Sequence, residues 1–376
     1  MLTRILAIAR KEVRELKRDK RMLYVLFVFP FILLILFGYA INFDVHHIKM
    51  GLYSLDKSQD SRDFVNRLTS SSYFDLVKVI NSESEIRPLL DEGEVQTVIV
   101  IPNDFSKNIN AHRKAKVQIL VQGVDANTAS VISNYMNAAT ATFTQKIANE
   151  ALAVRGRQAY MPINLEPRFW YNPDLDSTKY LIPGLISMIL IMTAVISIAM
   201  SIVKEKERGT MEQINVSPLS SLELLVGKTA PYTIIALFIA AIVLFAGYLL
   251  FGVTVKGSYF LLFISTAIFL FAALNLGILI SSISESQQVA FQVSTLVSLL
   301  PSFLLSGFVF PIESMPPVIQ VLTNITPVKF YIIVLRDILL KGIGIEAFWD
   351  QLIYLLLFSA FFLTLATIIN KKRKTA

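Results

Sequence analysis

Residues 181–203 read LIPGLISMILIMTAVISIAMSIV, and residues 204–213, directly after them, read KEKERGTMEQ. The first stretch holds no Asp, Glu, Lys, Arg or His. An α-helix needs about 20 such residues to cross the hydrocarbon core of a bilayer. The second stretch alternates charge sign and is strongly helix-forming until Gly209 interrupts it. An apolar rod with a charged collar is the signature of a membrane span meeting water.

Five more runs of this kind flank it: Leu23–Ile41, Ala230–Gly252, Ser258–Ser281, Val289–Phe310 and Gln351–Asn370, all without internal charge. Buried core helices of a large soluble protein are the competing reading. A chain that is 54% hydrophobic and only 17% charged does not supply the surface such a protein needs. Backbone amides in lipid must bond within their own segment, so the runs are helices. The chain therefore reads as a polytopic α-helical membrane protein with six transmembrane helices. One helix (residues 23–41) precedes a long polar segment, 42–180, and five follow within 181–370.

Basic residues orient the spans. Arg4, Arg10, Lys11, Arg14, Lys17, Arg18, Lys20 and Arg21 precede the first run. Lys204, Lys206, Arg208 and Lys228 lie in the loop 204–229, and Lys371, Lys372, Arg373 and Lys374 in the tail 371–376. The opposite side carries Lys256, Lys329, Arg336 and Lys341. Both termini are expected in the cytoplasm and 42–180 outside. The net charge of +7 invites a nucleic-acid reading, which its distribution removes. Segment 42–180 has 15 basic and 16 acidic residues, whereas the cytoplasmic pieces have 16 and 8. The excess sits where it meets anionic lipid headgroups.

Residues 1–22 carry Leu2, Ile5, Leu6, Ala9, Val13 and Leu16 on one helical face, which predicts an amphipathic helix lying along the membrane surface. The first apolar run is too long for a signal-peptide core and reads as a retained anchor. The outer segment alternates strand and helix patterns. Strands are expected at Lys49–Tyr53, Phe74–Ile80, Thr97–Ile101 and Val117–Val121. Helices are expected at Ser61–Leu68, Ser84–Glu92, Asp104–Asn110 and Ala126–Arg155, followed by a linker marked by Gly156, Pro162, Pro167 and Pro173. This predicts an α/β extracytoplasmic domain between helices 1 and 2.

Catalytic signatures are missing from the sequence. It has no cysteine and three histidines, which excludes zinc–thiolate sites. The adjacent pair His46–His47 reads as an interfacial loop, and Asp91, Glu92 and Glu94 as a solvated turn. Gly227-Lys228-Thr229 resembles the end of a phosphate-binding loop, but Leu222 stands where the first glycine is needed and a membrane run follows. Ser217-Pro218 and a capping box, Ser220 to Glu223, predict a second short helix in this loop. Between the fifth and sixth runs, 312–341 is too polar and proline-broken to span. Amphipathic stretches at Val318–Leu322 and Phe330–Leu340 predict a re-entrant hairpin, with Arg336 and Asp337 at its polar edge.

Two segments carry a resemblance. Glu205-x-Glu207-Arg208-Gly209-Thr210-x-Glu212 is similar to the coupling segment of type-2 ABC exporter permeases. Ser306–Gly342 resembles the same family more strongly. It has Pro311 after the fifth run, the turn Met315-Pro316-Pro317, and Pro327 followed nine residues later by Arg336. The aromatic three positions after that proline is usually Tyr or His; Phe330 stands here, with Tyr331 beside it. The resemblance covers the whole chain, and the large outer insertion points to the multidrug or lipid-like-substrate exporters.

It implies a transport subunit without bond chemistry of its own and without a cofactor. ATP and magnesium would be bound by two separate ATPase subunits. A second permease copy or paralogue, and a periplasmic adaptor, are the further partners implied. The rival readings are an ion-coupled secondary transporter, which would want a charged group inside a span, and a sensor using 42–180 as ligand domain. Asn275 and the serines of the spans are candidate substrate contacts.

Overall fold

The computed structural model describes residues 2–40, 47–70, 73–111, 113–124, 126–154, 170–172, 176–210 and 221–375. The chain divides into two units, residues 43–167 and the remainder.

The larger unit begins with α1 (Leu2–Arg18), which buries Glu12 and Leu16 and leaves Leu2 and Leu6 of its apolar face exposed. After Asp19, α2 (Lys20–Leu23) passes through a π-turn, Tyr24–Val28, into α3 (Phe29–Ala40). The π-turn has a covalent cause. Pro30 has no amide hydrogen for the carbonyl four residues back, and the Phe29 amide reaches Tyr24 instead.

The second unit is a four-stranded sheet of order β2-β1-β3-β4, with β1 Ile48–Ser54, β2 Phe74–Val79, β3 Thr97–Ile101 and β4 Gln118–Val121. The first two pairings are parallel and β3–β4 is antiparallel. Helices α4 (Gln59–Thr69), α5 (Ile86–Asp91), α6 (Phe105–Asn110) and α7 (Ala126–Val154) complete it. Along α7, Ile132, Met136, Ala139, Phe143 and Ile147 recur at helical spacing and pack with Phe64, Phe74, Ile99 and Phe105. The opposite side of the sheet buries Ile80, Ile86, Leu89, Val95 and Val98. Asp56 fastens the β1–α4 turn: one oxygen accepts from the Ser58 amide at 2.8 Å, the other from the Ser106 amide at 2.7 Å. Burial works against its ionisation, but these bonds prevail and hold the carboxyl below its ordinary value. The linker prolines 162, 167 and 173 lie outside the described residues, as does His46.

Returning to the larger unit, α8 (Ser177–Glu207) is followed by α9 (Ser221–Phe251), α10 (Tyr259–Ile283) and α11 (Gln287–Leu304). Then come α12 (Pro317–Leu322), α13 (Pro327–Arg336) and α14 (Trp349–Thr375). Helix α8 is apolar on every side, and such a helix belongs at a centre. Its most apolar window is 89% buried, against 33% in α9 and 28% in α14. Close packing is made possible by small residues: a Cβ on Gly277 of α10 would come within 2.6 Å of the Val195 carbonyl oxygen.

Among the described residues, four helices are long and apolar enough to cross a membrane, or five if the bent pair 317–341 counts as one. The expected run Val289–Phe310 is a shorter helix. It stops at Leu304, three residues after Pro301, and Gly307 adopts φ 76° as the chain leaves the axis. Between α12 and α13 the chain bends by 92°. Pro317 and Pro327 each occupy a first helical position, Pro316 precedes α12, and Pro311 precedes a 3-10 turn at Ile312–Ser314.

Candidate functional site

The last turn of α8, Lys204-Glu205-Lys206-Glu207, fans around the helix, since successive residues point about 100° apart. Each of the four side chains reaches a different neighbour. Lys204 pairs with Asp19 at the elbow between α1 and α2, where Asp19 also accepts from the Met22 amide at 3.1 Å. Lys206 donates to the Ser281 carbonyl near the end of α10. Glu207 accepts from the Gln287 amide at 2.7 Å, capping the start of α11.

Glu205 turns into the most buried part of this base, at 3% exposure, beside Glu12 at 1% and Lys228 at 4%. Lys228 lies between the two carboxylates: it donates to Glu12 at 2.9 Å and pairs with Glu205. Lys11 pairs with Glu205 from the other side and stands 3.3 Å from Glu15. The second Glu12 oxygen accepts from Ser201 at 3.0 Å and lies 3.4 Å from the Tyr232 hydroxyl. Ser201 and Glu205 are one turn apart on α8, as are Lys228 and Tyr232 on α9. The close approach of α1 to α9 depends on Gly227, where a Cβ would stand 2.8 Å from Ile8.

Burial raises the cost of ionising Glu12, yet Lys228, Lys11 and Ser201 outweigh it and hold the carboxyl below its ordinary value. For Lys11 burial acts against the charge, and Glu205, Glu12 and Glu15 prevail, raising its pKa. Oxygens of Glu12, Glu15 and Glu205 lie within 4.8 Å of one another, as metal ligands would. Two ammonium groups, Lys11 and Lys228, already stand among the three carboxylates and offset two of their charges.

One reading is corrected here. Glu205 is buried in the chain's own core, so it offers no outer docking face; the exposed members of its segment are Glu207, Arg208 and Gly209. Gly209 ends α8 at φ 69° and Thr210 bonds back to the Glu205 carbonyl at 3.2 Å. Glu212, Ser217, Pro218 and Ser220 lie outside the described residues, and Glu223 approaches Arg4 at 3.8 Å. The Lys228 of the phosphate-loop look-alike is spoken for by two carboxylates. Asn275 donates to Ser359 at 2.7 Å in a buried contact between α10 and α14.

The second motif gathers at the other end of α8. Arg336 turns inward instead of marking a polar edge. Its guanidinium lies 3.7 Å from the Tyr180 ring centroid and donates to the carbonyls of Tyr180 at 3.1 Å and Gly307 at 3.0 Å. Asp337 is buried and pairs with Lys341 at 2.6 Å. The Tyr331 hydroxyl shares a 2.8 Å hydrogen bond with Thr266, and its ring stacks on Phe269 at 4.0 Å. Phe330 faces the other way, toward Tyr354 and Phe358. The hydroxyl missing at position 330 is thus supplied one residue later, in a different direction.

With both motifs in place, residues 20–368 match the model of the family described as ABC-2 family transporter protein. The chain belongs to that family. Similar proteins include the probable multidrug ABC transporter permeases YbhR and YbhS of Escherichia coli K12. YbhR is 31% identical over 96% of both chains, and YbhS 30% identical over 98% of this chain and 97% of its own. The inner membrane transport permease YhhJ of the same organism is 28% identical over 96% and 95%. This ABC-2 chain is accordingly a membrane-embedded transport subunit, and its two motifs occupy opposite ends of one central helix.

Proposed function

We propose that this chain is the permease subunit of an ATP-driven exporter that moves hydrophobic or amphipathic molecules, drugs or lipid-like compounds, out of the cytoplasm or the inner leaflet. In this reading it crosses a bacterial inner membrane six times, with both termini in the cytoplasm and the α/β unit outside. It pairs with a second copy or a paralogue and with two ATPase subunits that bind ATP and magnesium; a periplasmic adaptor is a further possible partner.

The observation that carries the reading is the four-way fastening of residues 204–207. A push delivered at Arg208-Gly209, the exposed end of α8, passes at once to α1, α9, α10 and α11 through charged contacts. The same helix ends at Tyr180 under the Arg336 clamp, so the far motif moves with it. A rigid central rod joined to its neighbours at one end and clasped at the other suits a part driven from outside the membrane. The test is recovery of a P-loop ATPase with the permease from mild detergent. Recovery that is lost on reversing Arg208 to Glu supports the reading. Full transport in vesicles lacking any ATPase, driven by a proton gradient alone, overturns it.

A further inference from the structure

Between α13 and α14 lies an open cavity of about 670 Å³. Its polar end is formed by Asn324, Lys329, Asp350 and Gln351, and its wall by Phe330, Ile333, Tyr354, Leu357, Phe358 and Phe361. On α14 the lining recurs every three to four residues from 350 to 361, a stripe of roughly 16 Å at 1.5 Å per residue. The groove is therefore ordered along one axis: charge at the start of the helix, aromatic and aliphatic surface beyond.

The polar end has a specific chemistry. Lys329 spends two of its three ammonium hydrogens on Thr323 at 2.9 Å and Asn324 at 2.8 Å, which aim the group and leave a third donor. The Asp350 carboxylate accepts from the Gln351 amide nitrogen at 2.7 Å and retains further lone pairs. That bond fixes the amide orientation, so the Gln351 carbonyl oxygen is the atom left over. It is buried and has no hydrogen-bond partner among the described residues. A buried acceptor without a donor is a costly arrangement unless something supplies one. The site thus offers one cation and, beside it, a carboxylate and a carbonyl both needing donors. Trp349 and Tyr354, 57% and 47% exposed, mark this end of α14 as one that meets a headgroup layer.

We propose that this groove binds a phospholipid whose headgroup carries both a phosphodiester and a primary ammonium. The phosphate accepts from Lys329, the ammonium donates to Asp350 and the Gln351 carbonyl, and one acyl chain lies along Tyr354, Leu357, Phe358 and Phe361. A choline headgroup presents its charge without N–H donors and a glycerol headgroup donates only from neutral hydroxyls, so neither gives the two acceptors a charge-assisted donor. The proposal requires that α14 cross a membrane and does not depend on the direction or energy source of transport.

The test is native mass spectrometry of the delipidated full-length protein titrated with phosphatidylethanolamine, phosphatidylcholine and phosphatidylglycerol of identical chains, and with chainless glycerophosphoethanolamine. The expected result is about tenfold preference for phosphatidylethanolamine over the other two lipids, the scale of one charge-assisted hydrogen bond, with no binding of the chainless headgroup. Asp350→Asn should remove the preference while leaving melting temperature in detergent unchanged. Leu357→Trp, at an exposed groove position, should block all three lipids. Equal affinity for the three lipids, a preference that survives Asp350→Asn, or chainless headgroup binding as tight as the lipid would overturn the proposal. So would a Leu357→Trp variant that changes the number of copies in the assembly but not lipid binding, since the groove would then be a contact between copies.

Discussion

Removing the Lys228 ammonium would leave Glu12 and Glu205, both buried, with Lys11 as their remaining cation. Breaking a buried pair from one side costs about 3–5 kcal/mol, because the orphaned charge stays behind. Lys228→Met should therefore lower the melting temperature in detergent markedly, whereas an exposed change such as Arg208→Ala should shift it little. Glu12 adds a pH dependence of defined sign. Its carboxyl is held below its ordinary value, so its contribution is complete above the unfolded value of about 4.3 and is lost as pH falls through the lower folded value. The difference in melting temperature between the wild type and Glu12→Gln should stay level from neutral pH to about 5 and shrink in more acid buffer. A difference that grew on acidification would contradict the assigned pairing.

At the scale of elements, the fan of residues 204–207 explains why α8 can be apolar all round and still be held in register. Glu207 caps α11, so Glu207→Ala should speed amide hydrogen exchange in the first turn of α11 and leave the start of α10 unchanged. At the far end, Arg336→Ala removes a guanidinium that joins Tyr180 to Gly307. It should impair transport while ATPase recovery persists; loss of assembly would instead make the clamp a folding element.

Much of the element map is legible in the sequence, because period-2 and period-3.6 patterns register local geometry. The strand Thr97–Ile101 and the long helix from Ala126 are read from such local patterns. What is hidden is long-range. That Lys228 meets Glu12, 216 positions away, leaves no local trace, and Gly227-Lys228-Thr229 advertises a different motif. Helix α11 falls short of its apolar run because apolarity continues past the residue where Gly307 turns the backbone. Alternating charge at 204–207 signals a solvated collar, whereas tertiary packing draws Glu205 inside.

For the molecule as a whole, the charges absent from the runs as drawn are present just beyond their ends, where helices α8 and α9 extend past the apolar stretch. Glu205 and Lys228 are buried there and pair with one another. In the proposed reading the energy comes from outside the chain and acts at the exposed Arg208-Gly209 end. The most direct measurement is ATPase recovery with the Arg208→Glu permease, alongside its melting temperature. The account expects an unchanged melting temperature with the ATPase lost. Undiminished recovery of the ATPase by a fully folded Arg208→Glu variant would contradict it.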